Sequence, residues 1–194
     1  MQRLARVLVV VAVLLVASQA PASVIIDFEG MPDLVSVTDQ YEALGVRFDN
    51  ALILTAYYSL NEIDFPPVSG EQVLGDDLAP IVATFLVPVN YVGSYFTYSQ
   101  TLNLYAYDSA DNLLAVASSL AYDNYGSSEF IWLNSPSTIS RLVIAGSEFG
   151  GSYIMDDFEF NGSAVVPAPG AMLLGIIGTG LVGLAPRLKL LKRP

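Results

Sequence analysis

Between residues 24 and 160 the chain is a succession of short apolar runs rich in Val, Ile, Tyr and Phe. Gly, Pro, Asn, Asp or Ser interrupts it every few residues. That punctuation constrains the fold most, because no run is long enough for an ordinary helix and β-branched and aromatic residues suit a half-buried pleated surface. Strands are expected over 24–29, 45–49, 52–56, 81–86, 91–97, 101–108, 113–120, 129–133, 139–145 and 153–160, in an all-β, antiparallel β-sandwich. The segment from Asp108 to Asn112 reads as a hairpin turn. It lacks the glycine and distal glutamate of an EF-hand loop. Residues 61–80, with Asp64, Pro66, Pro67, Gly70, Gly75, Asp76 and Asp77, form the least regular stretch. It reads as a long rim loop, either of the kind that often carries function or a solvated excursion.

The chain has no His and no Cys, which removes the usual zinc sites, cysteine nucleophiles, Ser-His-Asp triads and disulfides. A domain of about 140 residues buries enough core to do without a covalent staple. All 19 acidic residues lie from Asp27 to Glu159, and only Arg47 and Arg141 oppose them there, leaving this region at −17. Such a surface repels phosphate backbones, so nucleic acid is excluded as a partner.

The two ends are addressed differently. Arg3 and Arg6 precede an apolar run from Val7 to Ala17, and Ala20 and Ala22 stand at the −3 and −1 positions of a signal-peptide cleavage site. Residues 1–22 are therefore expected to be a signal peptide, 23–163 the ectodomain and 164–194 a sorting tail. In that tail, Pro167, Ala168, Pro169 and Gly170 precede an uncharged run from Ala171 to Pro186, followed by Arg187, Lys189, Lys192 and Arg193. As a helix the run would be roughly 24 Å long, a marginal single transmembrane span. The basic end would stay on the cytoplasmic side of the inner membrane.

The order Val166-Pro-Ala-Pro-Gly-Ala171, a Gly- and Leu-rich span and a basic end resembles the PEP-CTERM sorting signal of Gram-negative bacteria. Ala168 stands where the name-giving motif has Glu. The resemblance implies that a membrane exosortase recognises and processes the tail. It also implies that the protein is transiently anchored in the inner membrane and then reaches the cell surface or the extracellular, biofilm matrix.

The core also resembles jelly-roll domains related in architecture to carbohydrate-binding modules. The likeness is carried in order by Asp27-Phe-Glu29, Tyr41-Glu-Ala-Leu-Gly45-Val-Arg-Phe48, Val92-Gly-Ser-Tyr-Phe96, Leu104-Tyr-Ala-Tyr-Asp108 and Met155-Asp-Asp-Phe158. First and last strands lie side by side in such folds, which would bring Asp27 or Glu29 near Asp156 or Asp157. A structural Ca²⁺ is the candidate cofactor there, competing with a reading of these residues as solvated strand-end acids. By strict alternation only one of Asp156 and Asp157 could share a site with the early acids.

Trp132 with Phe130, and Tyr105 with Tyr107, each share a strand face and form candidate glycan-binding platforms. The competing reading is half-buried sheet packing. Tyr57 and Tyr58 are a further aromatic pair. No pair of carboxylates is singled out as a glycosidase would require, and no enzyme activity is expected. Two functions stay open: a non-enzymatic exported surface or matrix protein sorted through its tail, and a lectin-like module that binds exopolysaccharide.

Overall fold

The computed structural model describes residues 23–148 and 150–162. The expected signal peptide, transmembrane helix and sorting motif lie outside them. Among the described residues no helix is long and apolar enough to cross a membrane.

The described chain folds into nine strands and one short 3-10 helix. In order they are β1 (Ser23–Ile26), η1 (Glu42–Leu44), β2 (Val46–Asp49), β3 (Ala51–Thr55), β4 (Gln72–Asp76), β5 (Ile81–Tyr98), β6 (Asn103–Tyr107), β7 (Leu113–Ser118), β8 (Glu129–Ala145) and β9 (Tyr153–Asn161). All the pairings between strands are antiparallel.

Two long strands build both layers. The first part of β5 pairs with β2 and with the second part of β8, which continues to β6 and β7. The second part of β5 pairs with the first part of β8 and with β9, which continues to β4 and β3 and, at its far end, to β1. Between the parts the β5–β8 register shifts, from Thr84 to Val89 and again to Tyr91. Pro88 and Pro136 fall in this stretch of the two strands, where loss of a ladder donor is tolerated at an irregularity. The sequence reading broke each strand in two at these places. The backbone instead bends and runs on.

The core lies between the layers. Phe48 of β2 meets Phe158 of β9 edge-on, with ring centroids 5.4 Å apart, and Phe85 of β5 reaches Phe160 at 5.3 Å. The Tyr153 hydroxyl, inside the core, donates to the Ile144 carbonyl at 2.7 Å and accepts from the Ile81 amide at 3.0 Å. Burial pushes that phenol well above its ordinary value.

The stretch 61–80, expected as one loop, contains β4, whose five residues are all buried. Its Gln-Val-Leu-Gly-Asp sequence neither alternates nor concentrates β-formers, so only its pairing with β3 and β9 reveals it. The hairpin from Asp108 to Asn112 is as expected. The Asp108 carboxylate accepts the Ala110 amide at 2.8 Å and the Asn112 amide at 2.9 Å, and the Asn112 side chain holds its pKa below the usual value.

Candidate functional site

The outer face of the β9–β5–β8 layer carries a continuous aromatic strip. Alternation sends Val92 and Phe96 of β5 and Ile131 and Leu133 of β8 into the core, which leaves Tyr91, Gly93 and Tyr95, and Phe130 and Trp132, on the opposite side. The register sets Tyr95 opposite Phe130 and Gly93 opposite Trp132. The Tyr95 and Phe130 rings are 4.9 Å apart, and Tyr91 and Trp132 6.2 Å. Gly93 is the gap between these pairs: a Cβ there would come within 2.7 Å of the Phe130 ring and 3.1 Å of Trp132 Cβ. Trp132 is 54% exposed, a large apolar surface left in water.

Glu159 of β9 faces the same side, since it pairs with Gly93 on one flank and with Ile25 of β1 on the other. Its Oε1 accepts the Tyr91 hydroxyl. Burial first, and then the hydrogen bond to Glu159, raise the Tyr91 pKa to about 12. Trp132 also borders an open cleft of about 620 Å³, lined with Ala115, Val116, Ala117, Leu133, Asn134 and Pro136.

Tyr105 and Tyr107 belong to the other layer. Leu104 and Ala106 take the core positions of β6, and the tyrosines are half-buried on its outer side. Arg141 lies 4.3 Å over the Tyr107 ring and pairs with Asp111 at 2.8 Å. The two candidate platforms are thus separate, and Tyr107 is already covered by a cation. Tyr57 and Tyr58 are exposed in the turn after β3. Farther along that segment Phe65 meets Tyr125 edge-on at 5.5 Å, and the Gly126 amide donates to the Asp64 carbonyl at 2.8 Å.

The early and late acids do converge, as the pairing of β1 with β9 requires. What they converge on is a loop. Glu29 Oε1 accepts the backbone amides of Glu71 and Gln72 at 2.8 and 2.7 Å. Asp156 Oδ2 accepts those of Val68 and Ser69 at 2.7 and 2.9 Å, and Asp157 Oδ1 accepts the Ser69 hydroxyl at 2.9 Å. Asp27 accepts the Glu29 amide at 3.3 Å.

Both late aspartates therefore reach Ser69, contrary to the alternation argument. The reason is a β-bulge. Between Gly93 and Tyr95 β5 has one residue, whereas β9 has Asp157 and Phe158 between Glu159 and Asp156, and Asp157 takes a φ of 48°. The bulge shifts the phase of β9, so that Met155 and then Phe158 face the core. Among the described residues no group of three or more acidic side chains is arranged to hold a metal ion.

The sequence reading identified Trp132 and its partner Phe130 but not Tyr91, Tyr95 or Glu159. The alternation Tyr91-Val-Gly-Ser-Tyr95 was the available signal. What hid it was the absence of any sequence mark that β5 lies between β8 and β9.

No protein-family model matches the chain, and no curated protein sequence matches it. Among solved structures it is similar to a cleaved adhesin domain of Lys-gingipain from Porphyromonas gingivalis, at 10% identity and a TM-score of 0.45, covering 73% of this chain and 98% of that one. It is also similar to a family 29 carbohydrate-binding module, at 12% identity and a TM-score of 0.41, covering 74% and 94%. A DUF4465 family protein from Bacteroides caccae stands at 11% identity and a TM-score of 0.43, covering 75% and 94%. These are likenesses of outline at low identity.

Proposed function

We propose that the protein is an exported, non-catalytic surface or matrix protein whose sandwich binds polysaccharide along the outer strip of Tyr91, Tyr95, Phe130 and Trp132. The observation that carries this is the exposure of Trp132 beside Tyr91, with Gly93 opening the surface between the two aromatic pairs. Aromatic side chains that served only the core would be buried, as Phe158 and Phe160 are. Flat rings left in water on a rigid sheet offer a stacking surface for sugar rings, with little ordering cost because both strands are fixed by their ladders. The open strip suits an extended chain rather than a small molecule enclosed on all sides.

Export and sorting rest on the sequence of the ends. Processing of the Pro167-Ala-Pro-Gly170 tail by a membrane exosortase would deliver the domain to the surface or matrix, where such a polymer is found. The jelly-roll reading of the sandwich agrees with the adjacency of β1 and β9.

The test is a binding screen of the protein against a panel of polysaccharides, with calcium and then with a chelator, alongside Trp132→Ala. Saturable binding lost in the variant while its fold is retained is the expected result. Absence of binding to every polymer by the folded protein would leave a structural cargo protein and overturn the lectin reading.

A further inference from the structure

The aromatic strip has a charged member, Glu159, that no arginine or lysine side chain of the described residues pairs with. Ile25, Glu159, Gly93 and Trp132 form one row across β1, β9, β5 and β8, with their side-chain positions on one face. Two strand spacings, about 10 Å, separate the Glu159 and Trp132 backbones. Tyr91 ties them together: its ring lies beside Trp132 and its hydroxyl donates to Glu159. A sugar stacked on these rings would therefore present its substituents to the carboxylate.

No arginine or lysine side chain of the described residues pairs with Glu159. Once the expected signal peptide is removed, the other cation near this face would be the α-ammonium of Ser23 at the start of β1, whose position pairs with Asn161. Arg47, on β2, pairs with Glu42 at 2.8 Å, and Arg141, on the β6 side of β8, pairs with Asp111 at 2.8 Å. The region from Asp27 to Glu159 stands at −17, so the surrounding field also favours positive charge. A ligand that covers Tyr91 and Trp132 strips water from Glu159. A neutral hydroxyl returns one hydrogen bond but leaves the charge uncompensated. A carboxylate or sulfate adds repulsion. A primary ammonium supplies both a donor and the opposite charge, in a charge-assisted hydrogen bond that is roughly twice as strong as a neutral one. It can also lie against the Tyr91 or Trp132 ring face.

We infer that the strip selects a glycan bearing free primary amines, with Glu159 as the residue that reads the ammonium and Tyr91 as the residue that positions Glu159. This rests on the polysaccharide-binding reading above, and extends it to a ligand class: an amino-sugar polymer lacking N-acetyl groups, in preference to its acetylated form and against polyuronates.

The experiment titrates the full chain in mild detergent with glucosamine oligomers, N-acetylglucosamine oligomers of equal length, a polyuronate and oligolysine. Binding is read by calorimetry and by the fluorescence of Trp132, the chain's single tryptophan. The expected result is a preference of about tenfold or more for the glucosamine oligomer over the acetylated one. That preference should collapse to within about twofold in Glu159→Gln and shrink in Tyr91→Phe, while Trp132→Ala loses both oligomers. Equal affinity for the two oligomers, or an unchanged preference in Glu159→Gln, overturns the inference and leaves the aromatic platform standing. Oligolysine binding as tightly as the glucosamine oligomer, with the same dependence on Trp132, also overturns it, since charge alone would then be read. Failure of the wild-type protein to bind either oligomer or any other polysaccharide overturns the platform together with the inference. Circular dichroism of each variant separates lost selectivity from lost fold.

Discussion

Gly93 lies directly opposite Trp132 across the β5–β8 ladder, and the missing side chain of the first makes room for the second. Replacing Gly93 by valine would drive a branched Cβ into Phe130 and Trp132, an overpacking that costs about 1–3 kcal/mol if the rings could not move. These rings sit on an outer face, so they are expected to swing outward and the cost to fall at the lower end. The checks are the emission maximum of Trp132 and polysaccharide affinity, both of which should change while the midpoint of thermal unfolding moves by only a few degrees.

Asp156 is 1% exposed and holds the amides of Val68 and Ser69. Asp156→Ala leaves those donors without their acceptor, at about 1–3 kcal/mol for each one that stays buried. Hydrogen exchange at residues 68–72 should accelerate far more than exchange in β5 or β8. Uniform acceleration throughout the sandwich would mean that the carboxylate supports the whole fold rather than this loop.

Burial raises the pKa of Asp156 and of Asp76 above the ordinary 3.8, with neighbouring backbone amides opposing the shift in each case. The folded state then binds protons that the unfolded state has released, so stability is greatest below the ordinary carboxylate value and declines as pH rises through the raised one. Thermal unfolding midpoints measured from about pH 4 upward should fall over the mildly acidic range. Asp156→Asn should flatten that decline, with Asp76 supplying the remainder. An identical slope in the variant would assign the decline to other acids.

Gly70 has a φ of 53°, and a Cβ there would stand 2.1 Å from Glu29 Oε1. Gly70→Ala therefore meets both a strained backbone and the carboxylate that accepts the Glu71 and Gln72 amides. A loss of about 1–3 kcal/mol is expected, measurable by urea unfolding. Because Glu29, Asp156 and Asp157 spend oxygens on backbone and hydroxyl donors here, a chelator should leave the unfolding midpoint of the wild-type protein unchanged. A drop on chelation that Glu29→Gln and Asp157→Asn abolish would show that a divalent cation binds to these carboxylates.

Changing Pro167 and Pro169 to alanine should leave an uncleaved, membrane-retained form in a host that carries the cognate exosortase. Fractionation and immunoblotting distinguish the two forms. Normal maturation of the double variant would remove the sorting reading.

Strand content was written in the residues. β1, β2, β3, β6 and β9 begin and end within about three residues of where alternation and turn chemistry put them, because those signals are local. The hairpin at Asp108 was legible for the same reason, since its carboxylate bonds to residues only two and four positions on. The continuity of β5 and β8 was not legible: Pro88 and Pro136 look like breaks until the partner strand bends with them. Nor was β4, a buried strand defined by its neighbours and not by its composition.

The sequence by itself determined the chemistry available to this protein: an acidic, cysteine-free and histidine-free β domain, a single tryptophan, and two apolar, basic-flanked ends on which the export proposal rests. Only the tertiary structure decided how those groups meet. One bulge in β9 turned two aspartates toward the same serine, and the register of three strands assembled Tyr91, Trp132 and Glu159 on one face. Both outcomes depend on contacts between residues tens of positions apart. Local periodicity says which side of its own strand a residue takes, but not which strand will lie beside it.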